Sequence, residues 1–209
     1  PRRRGAEFYD TLLWRVQPKQ PTAGDGFAIG VTSADRHAGV STVAANLAIR
    51  AADHRQSPVL LIDANLLHPR QQRNFRLRGG AGLTDLLAGE CGVGEAVFDS
   101  GVDGLSVMPL GSPSLVERTV CDHDAVAALF AELRGDYATL VFDLPPANAM
   151  RHTLLFAQQL DATLMAVRSE ATRTKAARAA VARLQADGVA VTGSVVTQQK
   201  RYTPRWLSR

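Results

Sequence analysis

The chain has 209 residues, 45% hydrophobic and 21% charged, with a formal net charge of +4; this is the balance of an ordinary soluble globular protein, long enough for one well-packed domain and short for two. No apolar run approaches the roughly 20 residues needed to cross a bilayer, no signal peptide is visible at residues 1–5, and the chain starts without Met, as a fragment of something longer would. Cys91 and Cys121 sit in no metal-ligand spacing and form no CxxC, which fits reduced thiols and a cytoplasmic setting.

Basic residues gather at both ends, Arg2, Arg3 and Arg4 at one and Lys200, Arg201, Arg205 and Arg209 at the other. Such ends suit an anionic membrane surface or nucleic acid, or are simply solvated tails. Phe8, Leu12, Leu13 and Val16 recur at helical spacing, so a short amphipathic helix is expected there. Residues 17–26 are rich in Pro, Gly and polar side chains and read as a linker.

A regular alternation follows. Residues 27–32 (FAIGVT) predict a buried strand, 40–52 a helix, and 58–62 (PVLLI) a second strand ending on Asp63. A short helix is expected at 83–88, a strand at 105–109, and a helix at 125–133 capped by Asp122 or Asp124. The strand at 138–142 ends on Asp143; another spans 162–167, a long helix 172–186, and a last strand 189–196. Apolar strands alternating with helices predict an α/β fold in three layers around a mostly parallel sheet, with the site at the carboxyl ends of the strands. The expected organisation is a helix and linker over 1–26 and one domain over 27–209.

The loop after the first strand carries the chemistry. A phosphate-binding loop reads G-x-x-x-x-G-K-[ST] between a strand and a helix, with backbone amides cradling phosphate, the Lys reaching the outer phosphates and the hydroxyl on Mg²⁺. Here Ala34 replaces the first Gly, Arg36, His37 and Ala38 follow, Gly39, Ser41 and Thr42 fit, and Val40 stands where the Lys belongs. Losing that charge costs a few kcal/mol of transition-state stabilisation, on the order of a hundredfold in rate, while the amides that bind remain. Arg36 and His37 are the nearby candidates to restore it. Asp63 and Asp143 each close an apolar strand, where a carboxylate needs a partner; a Mg²⁺ ion with Ser41, Asp63 and Asp143 around it is the expected one, and a simple turn cap is the alternative for each. The remaining histidines (His54, His68, His123 and His152) show no ligand spacing and are expected at the surface or at caps.

Residues 39–47 (GVSTVAANL), 59–69 (VLLIDANLLHP), 82–89 (GLTDLLAG) and 143–146 (DLPP) together resemble the cytoplasmic kinase domain of bacterial tyrosine kinases, within the P-loop ATPases related to MinD. The resemblance implies ATP or ADP with Mg²⁺, catalytic roles for Asp63 and Asp143, a nucleotide contact near Thr197, and homo-oligomers. It also implies a polysaccharide co-polymerase membrane protein or an active kinase homologue as partner, at the inner face of the plasma membrane. Departures from the family pattern run in one direction. Val40 replaces the Lys, Asn65 the second acid after Asp63, and Thr197 an Asn; Glu7, Asp10 and Leu13 lack the arginines of the oligomerisation helix; and Tyr202 is the lone tyrosine near the end. The chain therefore reads as a pseudokinase that regulates or scaffolds exopolysaccharide or capsule export. An active atypical autokinase or ATPase is the alternative. A partitioning-type ATPase relative that binds membrane or DNA is a third reading, with nucleic acid the less expected partner.

Overall fold

The computed structural model describes residues 2–16, 26–55, 57–115 and 123–199. In chain order the elements are α1 (Arg2–Val16), β1 (Phe27–Ser33), α2 (Val40–Arg55), β2 (Val59–Asp63), α3 (Gln71–Asn74), α4 (Leu83–Leu87), α5 (Val93–Ala96), β3 (Phe98–Val102) and β4 (Leu105–Met108). Then come α6 (His123–Asp136), β5 (Thr139–Asp143), α7 (Leu154–Gln158), β6 (Ala162–Arg168), α8 (Thr174–Ala186) and β7 (Val191–Thr197). The described strands form a seven-stranded sheet in the order β3-β4-β2-β5-β1-β6-β7. All neighbours are parallel except the β3–β4 hairpin at one edge.

The central strands are apolar on both faces because both faces are covered. Val59, Leu61 and Val141 point into one core, with Leu47, Ala48 and Ala51 of α2, while Leu60, Ile62, Leu140 and Phe142 point into the other. That second core holds Phe130 of α6, Phe156 of α7 and Leu184 of α8. Period-two side-chain alternation thus feeds two separate layers from one run of hydrophobic residues. Phe142 is at the centre: its ring stacks on Phe130 at 5.2 Å between centroids and meets Phe156 at 6.3 Å.

Helix α1 lies against α2. Leu13 is buried there and Tyr9, Leu12 and Val16 pack beside it, whereas Phe8, expected on the same stripe, is 47% exposed. Asp10 fastens the helix, accepting from Arg50 Nε at 2.7 Å and Nη2 at 3.0 Å, with His54 Nε2 at 2.7 Å.

Several boundaries differ from the sequence expectation. The edge strand β3 was not expected; its residues are only half-buried or exposed, its middle is Asp99, Ser100 and Gly101, and it is held by pairing with β4. The last strand is Val191–Thr197, not 189–196, and α8 starts at Thr174 because Ser169, Ala171 and Thr172 form a turn closed on Thr197 and Arg168. Asp124 sits in the first turn of α6, while Asp122, Cys121, most of the 17–26 linker and the basic residues from Lys200 onward lie outside the described residues. The GLTDLLAG stretch is a latch. Asp85 Oδ2 accepts the amides of Gly82 and Ser112, both at 2.9 Å, and a side chain on Gly82 would sit 2.3 Å from Pro109 O.

Phe142→Ala removes a fully buried ring from a stacked cluster and should destabilise the fold by about 3–5 kcal/mol, read as a fall in the denaturant midpoint at unchanged slope.

Candidate functional site

Strand β1 stops at Ser33 and α2 begins at Val40, so residues 34–39 must reverse the chain over the carboxyl edge of the sheet. His37 (φ 63°) and Gly39 (φ 84°) make the reversal in the left-handed region, which glycine enters without strain. Side chains hold the loop from three sides. Ser33 Oγ donates to Asp35 O at 2.7 Å, Thr197 Oγ1 to Ala38 O at 2.7 Å, and Gln198 Nε2 to His37 O at 3.1 Å. Thr32 Oγ1 donates to Pro145 O at 2.6 Å, tying the end of β1 to the turn after β5.

A cleft of about 290 Å³ opens above this loop. Arg36, His37, Ala38, Gly39, Val40, Ser41 and Thr42 all border it, together with Asn65, His68, Arg70 and Gln198. Thr197 is not among the lining residues; its hydroxyl is turned to the Ala38 carbonyl, and the neighbouring Gln198 faces the cleft instead. Arg36, His37, His68 and Arg70 are exposed around the rim, so the opening is cationic. Val40 is 8% exposed and packs into the α2 core with Val31 and Val43, leaving no amine where a phosphate-binding Lys would stand.

The two carboxylates meet beneath the cleft. Parallel pairing of β2 with β5 puts Asp63 directly beside Asp143, and both are fully buried. Asp63 Oδ1 accepts Asn65 N–H at 3.2 Å, while its Oδ2 accepts Arg70 N–H at 2.7 Å and Gln71 N–H at 2.8 Å. Asp143 Oδ2 accepts Gln71 Nε2 at 2.7 Å, and its buried Oδ1 accepts no hydrogen bond. Burial pushes the Asp63 carboxyl up to about 6 against the pull of its three amides. Burial, then the neighbouring Asp63 charge, push Asp143 up to about 8, with Ser41 and Gln71 acting the other way. The structure brings Ser41, Asp63 and Asp143 together; in this arrangement Gln71 and backbone amides hydrogen-bond three of the four carboxylate oxygens, and Asp143 Oδ1 is left without a partner.

Gln71, Arg70 and Gln198 were not foreseen. Nothing in the local pattern marks them: Gln71 lies eight residues past Asp63 in a segment with no hydrophobic period, and its burial follows from where α3 docks. Asn65 spends its side chain locally, accepting His68 N–H at 3.2 Å.

Strand order, loop and paired acids point to one class of domain. The chain is similar to bacterial tyrosine-kinase domains. It is 24% identical over 168 residues to a putative tyrosine-protein kinase CapB of Staphylococcus aureus, covering 80% of this chain and 73% of that protein. A putative tyrosine-protein kinase in the cps region of Klebsiella pneumoniae is also 24% identical, but the chain spans 23% of its length. Among solved structures, the VpsO kinase domain superposes with a TM-score of 0.77 at 26% identity, over 95% of this chain and 97% of that one. The septum site-determining protein MinD of Pyrococcus horikoshii, solved with Mg-ADP, has the same fold at 19% identity, with a TM-score of 0.69 over 88% of this chain and 76% of its own. No family model matches the chain. The fold is that of the P-loop nucleotide-binding domains, and no described helix is long and apolar enough to cross a membrane.

The raised carboxyls make a pH signature. Their folded values lie above the unfolded value near 4, so between about pH 4 and 8 the folded state keeps protons that the unfolded chain has lost, and stability falls as pH rises through that window. Asp143→Asn should flatten this decline and stabilise the fold by about 2 kcal/mol at pH 8, measured by denaturant titration at pH 5, 6.5 and 8.

Proposed function

We propose that this domain binds a nucleoside polyphosphate, ATP or ADP, without transferring its phosphate, and serves as a pseudokinase that regulates or scaffolds exopolysaccharide or capsule export. Val40 carries the reading. The loop keeps its course, its glycine, its hydroxyl residues and its helix N-terminus, all of which serve binding. The side chain that would stabilise charge developing on the transferred phosphoryl group is an alkyl group turned into the core. The cationic rim supports anion binding by Arg36, His37 and Arg70, with Ser41 and Thr42 at the start of α2. The polysaccharide setting rests on resemblance: the Klebsiella relative is named for a cps region, and a structural neighbour with a TM-score of 0.76 at 24% identity is a chimerical CapA2B2 protein. A membrane-protein partner of the co-polymerase kind, or an active kinase homologue, is the proposed docking target at the inner face of the plasma membrane.

An active atypical autokinase or ATPase would have to draw its positive charge from Arg36 or Arg70. Calorimetric titration of ATP in EDTA and in Mg²⁺, beside a radiolabelled phosphate-transfer assay, separates the readings. The expected result is saturable nucleotide binding with no hydrolysis or tyrosine phosphorylation; turnover that disappears in Asp143→Asn would sink the pseudokinase. Val40→Lys should tighten ATP by about tenfold, the worth of one added charge-assisted contact of about 1.4 kcal/mol.

A further inference from the structure

Gln71 fills the part of the site where a divalent cation would be expected. Its side chain is fully buried and wholly committed. One Nε2 proton goes to Asp143 Oδ2 at 2.7 Å and the other to the Ser41 carbonyl at 3.1 Å, while Oε1 accepts from Asn74 Nδ2 at 3.1 Å. The amide therefore bridges the end of β5 to the first turn of α2, the two walls between which Mg²⁺ would have to sit. The other acid offers no opening, since three backbone N–H groups cover both oxygens of Asp63. Of the four carboxylate oxygens only Asp143 Oδ1 is left without a hydrogen bond, so an ion held through these carboxylates would have to displace the Gln71 amide to engage Asp143 fully.

We propose that Gln71 is a built-in substitute for the divalent cation, so that the cleft takes a nucleoside polyphosphate as the metal-free anion and excludes its Mg²⁺ complex. A neutral amide satisfies Asp143 Oδ2, the acceptor a cation would take, and anchors it to the Ser41 carbonyl, without the cost of dehydrating Mg²⁺. Expelling the amide would leave buried groups unpaired, a cost the incoming ion would have to offset. The same turn answers the larger charge of a metal-free polyphosphate. Arg70, next in sequence to Gln71, holds Asp63 with its backbone N–H while its side chain lines the cleft with Arg36 and His68. A guanidinium there can grip phosphate oxygens two at a time.

The ligand half of this proposal rests on the nucleotide reading above, and the metal half can be tested apart from it. Mn²⁺ serves as the paramagnetic probe, titrated into the full chain without nucleotide and followed by its free-ion resonance signal. Wild type should leave the signal unchanged at about 1 mM, whereas Gln71→Ala should gain a site at least about tenfold tighter, lost again when Asp143→Asn is added. Gln71→Asn, too short by one methylene to span both acceptors, gives the same gain should the alanine variant fold poorly. Equal Mn²⁺ binding by wild type and the Gln71 variants overturns the role of Gln71 whether or not nucleotide binds. In parallel, wild type should bind ATP in EDTA at least as tightly as in Mg²⁺. ATP binding about tenfold tighter with Mg²⁺ overturns the metal-free anion. The Mn²⁺ pattern without any ATP binding supports exclusion by Gln71 and overturns the nucleotide reading.

Discussion

Two carboxylates side by side at the ends of neighbouring buried strands are an unfavourable arrangement, and much of this molecule is organised around holding them. Parallel register between β2 and β5 leaves Asp63 and Asp143 no choice but adjacency. Water cannot reach them, and like charges in a poorly solvated place repel strongly. The chain answers with carboxyls that keep their protons to higher pH and with donors, three amides on Asp63 and the Gln71 side chain on Asp143. The turn from Ala64 to Arg70 and the docking of α3 follow from that requirement, since the Arg70 and Gln71 amides come into reach only if the chain bends back over the sheet edge.

This arrangement links the two halves of the candidate site. The loop half, from Ser33 to Thr42, places a left-handed glycine, a helix N-terminus and exposed Arg36 and His37 around the cleft. The acid half is sealed beneath it and neutralised from within. Because Gln71 Nε2 also bonds the Ser41 carbonyl, the same side chain that satisfies the acids ties down the first turn of α2. The loop with Val40 at its end and the hydrogen-bonded acid pair therefore meet at the first turn of α2, and the proposed reading of anion binding without phosphoryl transfer rests on both.

Much of the architecture was legible beforehand. Continuous apolar runs ending on Asp63 and Asp143, separated by helix-forming segments, can be buried only in a parallel sheet covered on both faces, and that inference needs no tertiary information. The β3 strand escaped because its own residues are half polar and its stability is borrowed from β4. Residues 34–42 were legible as a strand-to-helix loop because the strand–turn–helix context is local in sequence.

The sequence by itself determined most of the central strands and long helices, where the loop after β1 lies and that Val40 stands at its end, because these depend on periodicity and on residues close together along the chain. Tertiary structure decided that the two acids meet and what became of Asp143. Whether a carboxylate at a strand end faces solvent, metal or an amide depends on contacts across tens of residues: Gln71 lies 72 positions from Asp143 and 30 from Ser41, and no local pattern ties them. Likewise Thr197, read as a site residue, holds the loop from behind while Gln198 turns to the cleft, a difference of one residue set by how β7 ends.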